Sequence, residues 1–264
     1  MSTQTLYYAT NRNHLGRNRW KPQGYGTKFS DDGIENLRFG KVAVPVDDAQ
    51  VTRFTSKTLE ANGGVGEGEG LSGYLAGRVR KGSTIEAFEE VIDPDSSDVH
   101  QKGIKLGSQA MFAELKSLMM QATDVVIYIH GFNVSWNDAV ATALALQSML
   151  NTPDDGVVSQ QVVVVLFTWP SDGMALPFVS YKSDRTEAEG TGYAFSASVS
   201  LLYTAQLTFP YHLRDIRRSR RVWVLSLTDT DENIIAAISS GCASSTVQSA
   251  PPFEMILLED CPSL

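Results

Sequence analysis

His130-Gly131-Phe132-Asn133 sets an imidazole, a residue without a side chain, an aromatic ring and an amide in four consecutive positions. If the chain turns sharply there, such a segment offers a general base and backbone N–H groups that a ligand can approach closely. Gly131 equally suits a plain turn, with His130 packed or solvated. Ser171, in Thr168-Trp169-Pro170-Ser171-Asp172-Gly173, adds a hydroxyl that an adjacent base could activate. Asp229, Asp231 and Asn233 are spaced like the opening of a calcium loop, and a bound Ca²⁺ could polarise a carbonyl. That segment then departs from an EF-hand, with Ile234 where the loop needs Gly and Ser240 where it needs a bidentate Glu. His212, in Phe209-Pro-Tyr-His-Leu-Arg214, is a second candidate base, and no histidine follows it.

These residues need elements to position them. Val125 to Ile129 is a continuous β-branched and aromatic run, which suits a strand covered on both faces of a parallel sheet. After the His130 segment, Trp136, Val140, Ala143 or Leu144 and Gln147 recur at helical spacing, and Ser135 with Asp138 makes a capping-box-like start. Gln161 to Pro170 reads as a second buried strand, completing a βαβ unit with a right-handed crossover. His130 and Ser171 then both fall at carboxyl ends of strands, where open α/β sheets bind ligands. Ser108, Met111 or Phe112, Leu115 and Leu118 predict a capped helix leading into the first of these strands. Leu6 to Thr10 reads as a short strand, and Phe39 to Val46 as an antiparallel edge strand, where Pro45 is tolerable.

Composition narrows the classes. The formal net charge of −8 disfavours nucleic acid and anionic membrane as partners. The arginine-rich stretch 214–221 reads as a solvated helix end or loop. Two cysteines make no disulfide framework, and the amino terminus lacks the charged and apolar regions of a signal peptide, so the expectation is a soluble, cytoplasmic protein. The glycine-rich run 62–70 reads as a flexible loop: no strand leads in, no Lys follows and two acids intervene, so it cradles no phosphate. Asp93 to Asp98 reads as a solvated acidic turn. The whole chain, 1–264, is expected to form one domain.

Five segments come in a familiar order: Tyr8-Ala-Thr-Asn-Arg12, Phe39-Gly40 with Val44-Pro45, His130-Gly-Phe-Asn133, Phe167-Thr-Trp-Pro-Ser171, and Tyr181 with Asp184, Arg185 and Ala188. In this the chain resembles a bacterial α/β-hydrolase family of unknown function (domain of unknown function 900), most clearly over residues 6–198. The resemblance implies an α/β-hydrolase-like fold, a mostly parallel sheet with helices on both faces, incomplete toward the carboxyl terminus. It also implies a hydrolase of carboxylic esters, with acyl-homoserine lactones among the candidate substrates and no cofactor that the fold requires. Backbone N–H groups at Gly131 and Phe132 would then bind the oxyanion, with Asn133 and Trp169 lining the site.

The family's nucleophile elbow, Gly-x-Ser-x-Gly, is absent. Laid on the pattern of strand, elbow and helix, Ser226 to Thr230 occupies its place, and Thr228 stands where the serine belongs, without either glycine. Phe253 to Asp260 resembles the next strand, ending at Asp260 or Glu259 as the triad acid. The base would be His130, His212 or a metal-activated water. A scaffold that has lost its triad and serves as a binding module is the alternative. The run 239–252 reads as a low-complexity connector, and the abrupt loss of likeness after residue 199 fits a frameshift.

Overall fold

The computed structural model describes residues 1–34, 36–56, 66–89, 107–152, 161–171, 191, 221–227, 245–250 and 253–258, the last three segments as backbone only. An eight-stranded sheet runs in the order β5-β4-β1-β7-β6-β8-β10-β9, where β1 is Ser2–Thr10, β4 Arg38–Val46, β5 Thr84–Ala87, β6 Asp124–Ile129, β7 Val162–Thr168, β8 Arg221–Leu227, β9 Ser245–Ala250 and β10 Phe253–Leu258. A separate hairpin joins β2 (Arg12–Leu15) to β3 (Gly24–Phe29). The four central strands, β1, β7, β6 and β8, are parallel, and antiparallel strands extend the sheet on both sides.

The central strands are apolar on both faces because helices cover both. On one side, α2 (Gly68–Gly82) and α4 (Trp136–Leu150) pack with α1 (Asp48–Thr55) over Val126, Tyr128, Val162, Val164 and Leu166. On the other, α3 (Gly107–Gln121) brings Met111 and Leu115 onto Val125, Ile127, Ile129, Val165 and Phe167. Successive strand residues feed the two layers alternately, as the pleat requires. Burying one such aliphatic side chain stabilises the fold by roughly 1.5–3 kcal/mol. Lys41 on β4 and Tyr7 on β1 both bond to Glu114, at 2.9 and 3.1 Å, tying α3 to the sheet.

The Ser135 cap forms as expected, its Oγ accepting from the Asp138 N–H. At the far end of α4, Asn151 accepts from the Val162 N–H and donates to its carbonyl, and Gln147 accepts from the Val164 N–H. These side chains serve the part of β7 that β1 has not yet reached, because that pairing begins at Tyr7 opposite Val165.

Several expectations need correction. Strand β4 is not the sheet edge, since β5 pairs with Gly40 to Ala43; Pro45 lies beyond that short overlap, where its missing N–H costs the ladder nothing. Gly68 to Gly70 open α2 and are not loop. Part of the supposed connector, 245–250, is β9. Strand β10 runs antiparallel to β8, with Phe253 opposite Leu227 and Leu258 opposite Val222. Its carboxyl end therefore points toward the amino ends of the parallel strands, away from the carboxyl ends that carry His130 and Ser171, which removes the topological reason for a triad acid at Asp260 or Glu259. Asp260 itself, like Glu259, lies outside the described residues, as do Thr228, Asp229, Asp231, Asn233 and His212.

Candidate functional site

The carboxyl ends of β1, β6 and β7 converge, with Thr10 beside Thr168 and Ile129 beside Phe167. The inner parts of these strands are apolar, Leu6 to Ala9 in β1, Val125 to Ile129 in β6 and Val162 to Phe167 in β7, and polar residues follow: Arg12 after β1, His130 after β6, and Thr168 with Ser171 at the end of β7. All four are buried. A buried polar group is tolerable only when it is hydrogen-bonded, and these bond to one another.

Arg12 is the hub. Its Nε donates to Thr168 Oγ1 at 2.9 Å, and Nη1 donates to the carbonyls of Gly26 and Ser171 at 3.0 and 3.3 Å. Nη2 donates to the Val134 carbonyl at 2.8 Å and to His130 Nε2 at 3.2 Å. Those contacts engage all five guanidinium N–H groups.

The protonation of His130 follows from its neighbours. Arginine stays charged and only donates, so His130 Nε2 has to accept from it. The Trp169 N–H also points at Nε2, at 3.3 Å, and the Thr168 hydroxyl, already accepting from Arg12, donates to it at 2.8 Å. The proton of the neutral ring is then on Nδ1, which donates to the Gly131 carbonyl at 2.7 Å. Burial and then the Arg12 charge lower the His130 pKa from 6.5 to about 3. The ring stacks on Trp169, with centroids 5.1 Å apart, and the Trp169 indole donates to the His130 carbonyl at 3.0 Å.

This corrects three sequence-based assignments. A general base needs an accessible lone pair near neutral pKa, whereas His130 is enclosed and its acceptor nitrogen is occupied. Ser171, the second candidate nucleophile after Thr228, is equally enclosed, and its Oγ accepts from the Val134 N–H at 3.0 Å, so it braces a loop. Trp169 is fully buried under His130, a packing partner instead of a lining residue.

What remains at the surface is the loop these residues support. Phe132 is 38% exposed and Asn133 is exposed with φ 58°, a left-handed conformation that Asn adopts more readily than most residues. Residues 130–134 are held at both backbone ends, at the His130 carbonyl by Trp169 and at Val134 by Arg12 and Ser171. Sequence reasoning missed the roles of Arg12 and Thr168. For Thr168 the available signal was a polar residue at the very end of an otherwise apolar strand; for Arg12 it was only its place in the Tyr8-Ala-Thr-Asn-Arg12 segment. Among the described residues no group of three or more His, Cys, Asp or Glu side chains is placed to hold a metal ion, and no helix is long and apolar enough to cross a membrane.

A parallel-centred mixed sheet with helices on both faces, and a His-Gly loop leaving a central strand, defines an α/β-hydrolase-like protein. Residues 108–212 match the family model of an alpha/beta hydrolase of unknown function (DUF900). The match takes in α3, β6, the 130–134 loop, α4 and β7, and leaves out β1 and Arg12. No curated protein and no solved structure matches the chain.

Proposed function

We propose that the protein hydrolyses carboxylic esters, acyl lactones such as acyl-homoserine lactones among them, at the crevice bordered by residues 130–134. The observation that carries this reading is the bracing of that loop: buried groups fix its backbone before any ligand arrives. Preorganised N–H donors are what an acyl-transfer transition state rewards, each contributing roughly 3 kcal/mol. The N–H groups of Gly131 and Phe132 stabilise the oxyanion in this reading, and the exposed Phe132 ring receives the acyl chain. Because His130 and Ser171 are committed to support, Thr228 is left as the attacking hydroxyl and His212 as its base. Strand β8 lies parallel to β6 with Ser226 opposite Ile129, and Thr228 follows two residues later in the chain.

The enclosed His130 and Ser171 also favour a second reading, a hydrolase-like scaffold that binds without turnover. The two separate in one experiment: hydrolysis of p-nitrophenyl butyrate and N-hexanoyl-homoserine lactone, each with EDTA and with added Ca²⁺, followed by fluorophosphonate labelling. Turnover indifferent to EDTA, abolished by Thr228→Ala, with the label on Thr228, supports the reading. Turnover that requires Ca²⁺ moves the chemistry to Asp229, Asp231 and Asn233. No turnover under any condition leaves the scaffold.

A further inference from the structure

The buried network contains a residue that touches no substrate in the reading above and yet meets His130, Val134 and Ser171, three parts of the loop's support. We propose that Arg12 is the positioning residue of this site: by donating to His130 Nε2 and to the Val134 and Ser171 carbonyls, its guanidinium sets the histidine tautomer and clamps residues 130–134. The inference rests on the proposed function only in calling that loop the oxyanion loop; the clamp and the tautomer stand on geometry.

Four separate pieces of chain present acceptors to this one side chain: Gly26 on β3, the His130 to Val134 loop, Thr168 at the end of β7, and Ser171 beyond it. Their directions are fixed by strand ends, so whatever joins them must carry several donors in a rigid plane. Guanidinium does; an ammonium on a flexible stem has three donors and no fork. Arg12 is itself held, its backbone N–H donating to Thr10 Oγ1 at 3.1 Å. The neighbouring Asn11 carbonyl accepts from the Ser30 N–H at 2.8 Å, fixing the entry to the β2–β3 hairpin.

The tautomer matters to the loop as well as to the ring. With the proton on Nδ1, His130 donates to the Gly131 carbonyl and thereby orients the peptide plane that joins Gly131 to Phe132. The N–H of Phe132 belongs to that same plane. A ring protonated on Nε2 instead would face the Arg12 donor with a proton and would turn a lone pair toward the Gly131 carbonyl. Both contacts would become repulsive, and the plane carrying the Phe132 N–H would lose its restraint. Arg12 thus acts on that peptide through one intervening ring.

The test uses the full-length chain labelled with ¹⁵N-histidine, whose four imidazoles are resolved in two-bond ¹H–¹⁵N spectra. His130 is assigned by its loss in His130→Gln. In the wild-type protein it should show the neutral, Nδ1-protonated pattern, unchanged from neutral pH to about pH 5. In Arg12→Met the pattern should become a mixture of tautomers or begin to titrate in that range, and Arg12→Lys should fall between the two. If Arg12→Met does not fold, the pattern in Arg12→Lys decides in its place, an unaltered one overturning the proposal, and Thr168→Val is the control. It removes the hydroxyl yet leaves Arg12 and the Trp169 N–H on Nε2, so the Nδ1-protonated pattern should persist. An Nε2-protonated His130 in the wild-type protein, an unaltered pattern in folded Arg12→Met, or loss of the pattern in Thr168→Val overturns the proposal. In the p-nitrophenyl butyrate assay, Arg12→Lys should lower kcat by about 10²-fold and leave KM within about twofold, since a misplaced donor weakens the transition state more than the ground state. If the wild-type protein hydrolyses no ester, the proposed function falls and the spectra still decide the role of Arg12.

Discussion

Lowering the pH from neutral to about 5 should cost the fold about 2 kcal/mol through one ring, His130. The folded protein holds this histidine neutral, with its pKa lowered from 6.5 to about 3 first by burial and then by the Arg12 guanidinium. Above pH 6.5 the ring is neutral in the folded and unfolded chains alike, and its contribution is fully present. Below that value the unfolded chain binds a proton that the folded one refuses. Stability then drains away at up to about 1.4 kcal/mol per pH unit, until the folded pKa is reached. At about pH 5 the loss has grown to roughly 2 kcal/mol, a large share of the 5–15 kcal/mol typical of a folded domain. Urea unfolding at the two pH values measures it, and Trp169, stacked on His130, supplies a local fluorescence signal. His130→Gln cannot titrate at this position and should flatten the dependence over the same range. Equal stability of the wild-type protein at both pH values, or an undiminished slope in folded His130→Gln, would refute the reasoning.

Gly40→Ala should lower stability by about 2 kcal/mol or more in thermal unfolding, because the added Cβ would sit 2.5 Å from the Glu86 carbonyl oxygen of the paired strand, with the Tyr8 hydroxyl also in its way. Asn133→Val should cost about 1–2 kcal/mol, since φ 58° crowds a β-branched residue, whereas Asn133→Gly should fold at least as stably as the wild-type protein. Trp136→Ala should cost about 3–5 kcal/mol: the ring packs edge-on to Tyr8 at 4.9 Å and against Tyr25 at 4.6 Å, and the cavity left behind cannot collapse between two strands and a helix. A loss under about 1 kcal/mol on chemical denaturation would show that the site relaxes.

Periodicity made much of the central architecture legible. The unbroken apolar run of β6, the 3.6-residue stripe of α4 and the Ser135 cap are all local patterns, read within a dozen residues of themselves. The 68–82 region was not legible for the same reason. Gly68, Gly70, Gly73 and Gly77 have poor intrinsic helix propensity, and α2 forms because Leu71, Leu75, Ala76 and Val79 find a buried face against the sheet and α4. Strand β10 was recognisable as a strand but not in direction, because an apolar run reads the same whether its neighbour is parallel or antiparallel.

The sequence by itself determined that a strand, a His-Gly loop and a capped helix follow one another, because these depend on residues a few positions apart. It likewise placed His130 and Ser171 at strand ends. What those side chains do there was decided only by the tertiary structure, which brings Arg12 against His130 across 118 positions and Ser171 under Val134 across 37. Hydrogen-bond partners and solvent exposure are properties of where strands meet. Residue types that read as a base and a nucleophile along the chain therefore became, once enclosed, the buried supports of a loop.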